Sequence, residues 1–319
     1  MYTDGEGHVT VPIGIGRKAR LMIMDTGGVT SVLSSTVADE LNLSIGPGSG
    51  ELDIRGHTLS SYATVPSLTI AHAGFKDVRF AIAPAGDGFL NDKADGLLAP
   101  DLLAGFDVDL DFHHGEVQLV DPDHCPGTIP YWSPSYASAP FTLDGSGHIV
   151  LDMTLDGKLI HVALDTGSPI SAMGLPYAKQ TFGIGPQSPG VERVGFLGDA
   201  NDPSQAIYSY TFNSLMIDGL EVKHLPVALV PDNVSQVSIY GHLPDLILGL
   251  RELERLHLYI AYREKIVYFT AADAEYPATE EVRECYKKQV AKARAEAAAR
   301  HSSETEIPLN ELVAGCSGK

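Results

Sequence analysis

The chain has 319 residues, 44% of them hydrophobic and 20% charged, which is enough apolar material for two small cores. Forty-one acidic residues against 22 basic give a formal charge of -19, a surface that repels phosphate backbones and argues against nucleic acid as a partner. No apolar run reaches the roughly 18 residues that span a bilayer. No secretory signal opens the sequence, so the compartment stays open: cytoplasmic, or periplasmic or secreted if a targeting segment was removed. Three cysteines, Cys125, Cys285 and Cys316, are too few and too scattered for a disulfide framework or a zinc site, although one Cys125–Cys285 bridge remains open.

From the N-terminus, Val9 to Ile15 alternates apolar with small or polar residues and reads as a strand. Gly16-Arg17-Lys18 is its hairpin turn and Ala19 to Met24 the return strand. Asp25-Thr26-Gly27 follows at once. A short helix is predicted over Ser34 to Leu41, then strands over Ser67 to Ala71 and Val78 to Ala83. The run Asp95-Gly96-Leu97-Leu98-Ala99 precedes a short helix over Asp101 to Phe106 and a closing strand over Glu116 to Val120. Pro122, Pro126, Pro130, Pro134 and Pro140 mark an extended linker over 122–141.

Beyond the linker the pattern returns. Gly7-His8-Val9 recurs as Gly147-His148-Ile149, and Asp25-Thr26-Gly27 as Asp165-Thr166-Gly167, both 140 residues on. Asp95-Gly96-Leu97-Leu98-Ala99 is echoed 150 residues on by Asp245-Leu246-Ile247-Leu248-Gly249, and Leu103, Phe106, Val108 and Leu110 by Leu253, Leu256, Leu258 and Ile260. Asp156-Gly157 supplies the second hairpin turn. Further strands are predicted over Ser214 to Ile217 and Leu225 to Val230, and a helix over Arg251 to Leu256. Two copies are too few for a solenoid and describe a duplicated unit with pseudo-twofold symmetry. The expected units are 1–121 and 142–273, joined by 122–141. A tail over 274–319 follows, alanine-rich and charged between 278 and 301 and therefore helical in composition.

Each copy runs apolar strand residues into Asp-Thr-Gly. A carboxylate at the end of a buried strand is costly unless hydrogen-bonded or paired. The glycine lets backbone N–H groups turn back toward it, and the threonine offers a hydroxyl. One such loop is a strand, a turn and a cap. Two at equivalent points can be brought together by a pseudodyad, where facing carboxylates share a proton. One then takes a proton from water while the other donates to a carbonyl.

With its paired Asp-Thr-Gly loops and the later runs Leu97-Leu98-Ala99 and Ile247-Leu248-Gly249, the sequence resembles the aspartic peptidases, pepsin-like and retropepsin-like, over roughly residues 7–271. The resemblance implies a mainly β, bilobal acid-protease fold, two lobes related by a pseudo-twofold axis, with the helical tail added. It implies an aspartic endopeptidase in which Asp25 and Asp165 hold the lytic water, Thr26 and Thr166 interlock, and Gly27 and Gly167 shape the loops. It also implies β-hairpin flaps near Leu52 to Val65 and Gly195 to Phe212, with Tyr62, Tyr208 and Tyr210 as flap candidates. The substrate would be an extended peptide with apolar residues beside the cleaved bond. The lobes would pair within one chain, or between chains in a dimer. Gly28 and Ala99 depart from the family's usual residues, and only Ser168 can hydrogen-bond the outer oxygen of its aspartate. The other reading is a catalytically silent peptide-binding or scaffold protein with the same fold.

Other signals lead elsewhere and fall short. Gly14-Ile15-Gly16 with Ala19 imitates a dinucleotide fingerprint but is followed by a strand. The twelve histidines form no metal-binding helix motif, so neither metal nor cofactor is expected. Ser31, Ser34 and Ser35 lie in no nucleophile-elbow context. In the tail, Ile307 to Val313 is extended-compatible and apolar enough to resemble a peptide substrate.

Overall fold

In a computed structural model of the chain, the alternation read in Val9–Ile15 buries Val9, Val11, Ile13 and Ile15 on one face, and the matching strand does the same with Ile149, Leu151, Met153 and Leu155. The structure describes residues 2–3, 8–16, 18–54, 57–70, 73–86, 90, 93–122, 130–133, 135–144, 147–197, 201–231 and 244–273. The three cysteines, the tail, the tip of the first predicted flap and linker residues 123–129 and 134 lie outside the described residues.

Lobe one contains β1 (Tyr2–Thr3), β2 (Val9–Ile15), β3 (Lys18–Met24), β4 (Val32–Ser34), β5 (Ile45–Ile54), β6 (His57–Ile70), β7 (Ala73–Ala83) and β8 (Gly96–Leu98). They form one sheet in the order β1-β2-β3-β8-β4-β7-β6-β5, curled until β2 also pairs with β6. Helices α1 (Ser35–Glu40) and α2 (Pro100–Leu103) lie at strand ends, and β9 (Asp107–Asp111) and β10 (Glu116–Val120) close the unit.

Lobe two repeats this with β11 (Ala137–Leu143), β12 (Ile149–Leu155), β13 (Lys158–Leu164), β14 (Ala172–Gly174), α3 (Leu175–Phe182), β15 (Glu192–Phe196), β16 (Ala206–Ile217), β17 (Leu220–Val230) and β18 (Leu246–Leu248). Helix α4 (Leu250–Leu253) and strands β19 (Leu256–Ala261) and β20 (Ile266–Ala271) complete it. Its strands run β11-β12-β13-β18-β14-β17-β16-β15, with β12 also paired to β16, so the two lobes match strand for strand. The register repeats as well: Tyr2 faces Thr10 in one lobe, and Thr142 faces Val150 in the other.

Local chemistry sets the boundaries. Asp156 and Gly157 both take positive φ (43° and 81°), the geometry of a two-residue hairpin turn, so β12 returns directly as β13. Ser34 caps α1 by accepting from Val37 N at 3.2 Å. Helix α3 was not read from the sequence, although it sits 140 residues after α1. The strands predicted at Ser67, Val78, Ser214 and Leu225 are parts of longer ones, β6, β7, β16 and β17.

The two lobes share a seam. Strands β10-β9-β19-β20-β11 run as one continuous sheet, in which β9 of lobe one pairs with β19 of lobe two: Tyr259 faces Asp109 and His257 faces Asp111. β11 begins at Ala137, so the end of the predicted linker is already a strand of this seam. Linker residues Tyr131 and Trp132 pack on it. Trp132 stacks on the His257 ring at 4.0 Å and donates through Nε1 to Thr270 Oγ1 at 3.0 Å. Asp109 and His257, both buried, meet at 2.6 Å, and Tyr131 donates to the other Asp109 oxygen at 2.5 Å.

Candidate active site

β3 runs parallel to β8 with Met24 opposite Leu98, and β13 runs parallel to β18 with Leu164 opposite Leu248. The next residue on each long strand is an aspartate. Asp25 N donates to Leu98 O at 2.9 Å and Asp165 N to Leu248 O at 3.1 Å. The apolar pairs read as echoes of one another are therefore the partner strands that hold the two loops up. Leu98 and Leu248 are buried beneath them.

The loops meet across the pseudodyad. Thr26 Oγ1 donates to Leu164 O at 2.9 Å and accepts from Thr166 N at 3.1 Å. Thr166 Oγ1 donates to Met24 O at 2.7 Å and accepts from Thr26 N at 3.1 Å. Both threonines are fully buried. Each aspartate is oriented from within its own loop, Gly27 N donating to Asp25 Oδ1 at 3.0 Å and Gly167 N to Asp165 Oδ1 at 2.9 Å.

The glycines report how closely the carboxylates approach. A Cβ on Gly27 would stand 2.3 Å from Asp165 Cγ, and one on Gly167 would stand 2.3 Å from Asp25 Cγ. Each carboxylate thus rests against the glycine of the opposing loop. Asp25 is buried and Asp165 half-buried.

The two departures noted in lobe one belong together. A Cβ on Gly28 would come within 3.0 Å of Ala99 Cβ and 3.2 Å of Asp25 Oδ2, so glycine at one position makes room for alanine at the other. Lobe two is reversed, with Ser168 opposite Gly249. A Cβ on Gly249 would strike the Ile170 carbonyl at 2.3 Å. The Ser168 hydroxyl, expected at Asp165, donates instead to that Ile170 carbonyl at 2.9 Å.

The flap candidates divide. β5 and β6 form a hairpin with Leu52 opposite Leu59, where the sequence placed a flap. Leu59 is buried against Val32, Ala81, Ala83, Leu97 and Ala99, an apolar patch on which Tyr62 also packs, with the Arg79 guanidinium 4.1 Å from its ring. In lobe two, β15 and β16 form the corresponding hairpin. Tyr208 and Tyr210 lie on β16, half-buried against the core, with Tyr210 edge-on to Phe212 at 5.0 Å, because β16 alternates and places them on the same side as Phe212.

Sequence reasoning missed the residues behind the loops. Ser31 Oγ accepts from Ala99 N at 3.0 Å and donates to Asp101 Oδ1 at 2.6 Å. Ser171 Oγ accepts from Gly249 N at 3.0 Å and donates to Glu252 Oε2 at 2.5 Å. The two serines are 140 residues apart, so the repeat itself carried the signal. Among the described residues, no cluster of His, Cys, Asp or Glu could hold a metal ion, and no helix is long and apolar enough to cross a membrane.

Compared with known proteins, residues 9–102 match the aspartyl protease family. A solved structure of a retropepsin-like aspartic protease from Rickettsia conorii is similar at 21% identity, over 43% of this chain and 93% of that one, with a TM-score of 0.32. No curated protein matches the chain.

Proposed function

We propose that this two-lobed protein of the aspartyl protease family is an endopeptidase that hydrolyses peptide bonds with water activated between Asp25 and Asp165. The observation that carries this reading is the mutual contact of the loops, each carboxylate lying against the other loop's glycine while the threonines cross-link the backbones beneath. Two carboxylates in such contact share one proton. The ionised one accepts a proton from the bound water as that water attacks the peptide carbonyl. The protonated one donates to the carbonyl oxygen, and a tetrahedral diol forms. Return of a proton to the amide nitrogen releases the amine and the new carboxyl. No covalent enzyme intermediate is needed. The glycines keep the acids close, and the buried threonines fix their orientation before substrate arrives.

Extended peptide is the substrate class of this reading, because a strand-like backbone can pair with a hairpin such as β5–β6 or β15–β16. The preference for apolar residues beside the cleaved bond rests on the likeness to aspartyl proteases over residues 9–102. Lobe pairing within one chain supports action as a monomer.

The test is cleavage of an unfolded protein by the purified chain, with products read by mass spectrometry. Asp25→Asn and Asp165→Asn should each abolish it. A folded parent that cleaves nothing over a broad pH range would leave the silent scaffold reading in its place.

A further inference from the structure

The lobes anchor their acid-bearing loops by different chemistry. In lobe two, the first residue of α4 donates from its backbone to the loop, Leu250 N to Ser168 O at 2.8 Å. The corresponding residue of lobe one is Pro100, which has no N–H to give. There the side chain of Asp101 takes over: its Oδ2 accepts from Ser31 N at 2.9 Å and from Thr30 Oγ1 at 3.0 Å, and its Oδ1 from Ser31 Oγ. Three donors converge on this one carboxylate.

Glu252 of α4 is 1% exposed and takes the Ser171 hydroxyl, the same hydroxyl that receives Gly249 N. Ser171 is pinned from its other side, since its carbonyl accepts from Ala228 N of β17 at 2.9 Å. The loop from Asp165 to Ser171 is therefore held between β17 and α4, with Ser171 Oγ as the joint.

We propose that Ser171 and Glu252 are positioning residues for Asp165, and that loss of the Glu252 proton loosens the Asp165 loop while Asp101 keeps the Asp25 loop anchored. This rests on the proposed peptidase activity. The charge that would form on Glu252 has little to meet it: the Ser171 hydroxyl, with weaker help from backbone N–H groups, and the field of Arg251 on the same short helix. Burial raises the Glu252 carboxyl above its ordinary value of 4.5, against the lowering effect of Ser171 and Arg251. Below that raised value the acid sits neutral in its site. Above it, a buried anion must draw in water or move, and the joint at Ser171 opens.

The experiment compares kcat and KM against pH for the parent, Glu252→Gln, Ser171→Ala and Asp101→Asn. Gln keeps an acceptor for Ser171 Oγ but cannot ionise, so the basic limb of kcat should move to higher pH. Ser171→Ala should lower kcat about ten- to a hundredfold at all pH, with a smaller change in KM, and Ser171→Thr should rescue it. Asp101→Asn should lower kcat without moving the limb. A Glu252→Gln profile superimposed on the parent's would overturn the proposal. A second readout needs no turnover: amide hydrogen exchange over 165–171, corrected for intrinsic pH dependence, should rise with pH in the parent and stay flat in Glu252→Gln. If the parent cleaves nothing, the peptidase reading fails, yet this comparison still decides whether Glu252 controls the loop; equal exchange in both proteins would end it.

Discussion

At the residue scale, the site depends on side chains whose neighbours lie about 140 residues away. Gly27 and Gly167 are required because a methyl group would occupy the space of the opposing carboxylate. Gly27→Ala should therefore abolish cleavage even in protein that folds, as judged by circular dichroism. Thr26→Val removes one hydrogen bond donated and one accepted across the lobes, leaving Thr166 N and Leu164 O unpaired. It should cost about 2–4 kcal/mol in denaturant unfolding, while Thr26→Ser should retain most of that. Glu252 sets a pH dependence of stability. Its folded value is raised, so the native state binds its proton more tightly, and its contribution is fully present below 4.5 and lost as pH climbs through the raised value. The melting temperature of Glu252→Gln should thus gain on the parent's from about pH 4.5 toward neutrality. A constant difference across that range would contradict this assignment.

At the element scale, what the sequence disclosed followed its periodicity and its repeat. Val9–Ile15 and its return strand were legible because period two and a hairpin turn coincide, and the Asp-Thr-Gly loops because they recur at one spacing. The long strands β6 and β16 were seen only in part, because polar Thr58, Ser60, Ser61, Ser209 and Thr211 break the apolar pattern of their outer halves, although Leu59, Ala63, Ala206 and Phe212 are buried there. Helix α3 begins Leu175-Pro176 and lacks the Ser cap that marked α1, so only its position in the repeat announced it. The packing of Tyr208 and Tyr210 was hidden for a different reason: polar Ser209 and Thr211 between them mask that the tyrosines share the Phe212 face. That face is tightly filled, with Phe182 and Tyr210 each edge-on to Phe212 at 5.0 Å. Phe212→Ala should destabilise the protein by about 3–5 kcal/mol in chemical denaturation. A loss under about 1 kcal/mol would mean the packing of β16 on α3 is wrong.

At the scale of the whole molecule, duplication explains why one chain can build a site that needs two like halves. The seam sheet fixes their relative position, and its outward signal in sequence was slight. Asp107-Val108-Asp109-Leu110-Asp111 alternates like a solvent-facing strand, yet all five residues are buried, the aspartates beneath Tyr131, Trp132, His257 and Tyr259. Only the partner lobe reveals that. Trp132 is the sole tryptophan, so its fluorescence reports this seam alone. His257→Ala would leave Asp109 buried without its imidazole and remove the ring on which Trp132 stacks. We expect a loss of about 3–5 kcal/mol and a red-shifted tryptophan emission.

The whole account requires both acids to serve one site in one molecule. Calorimetric titration with a hydroxyl-bearing peptide analogue, built on a sequence the parent cleaves, measures this directly. The stoichiometry should be one analogue per chain, with binding lost in Asp25→Asn and in Asp165→Asn alike. Two analogues per chain, or binding that survives either substitution at full strength, would contradict it.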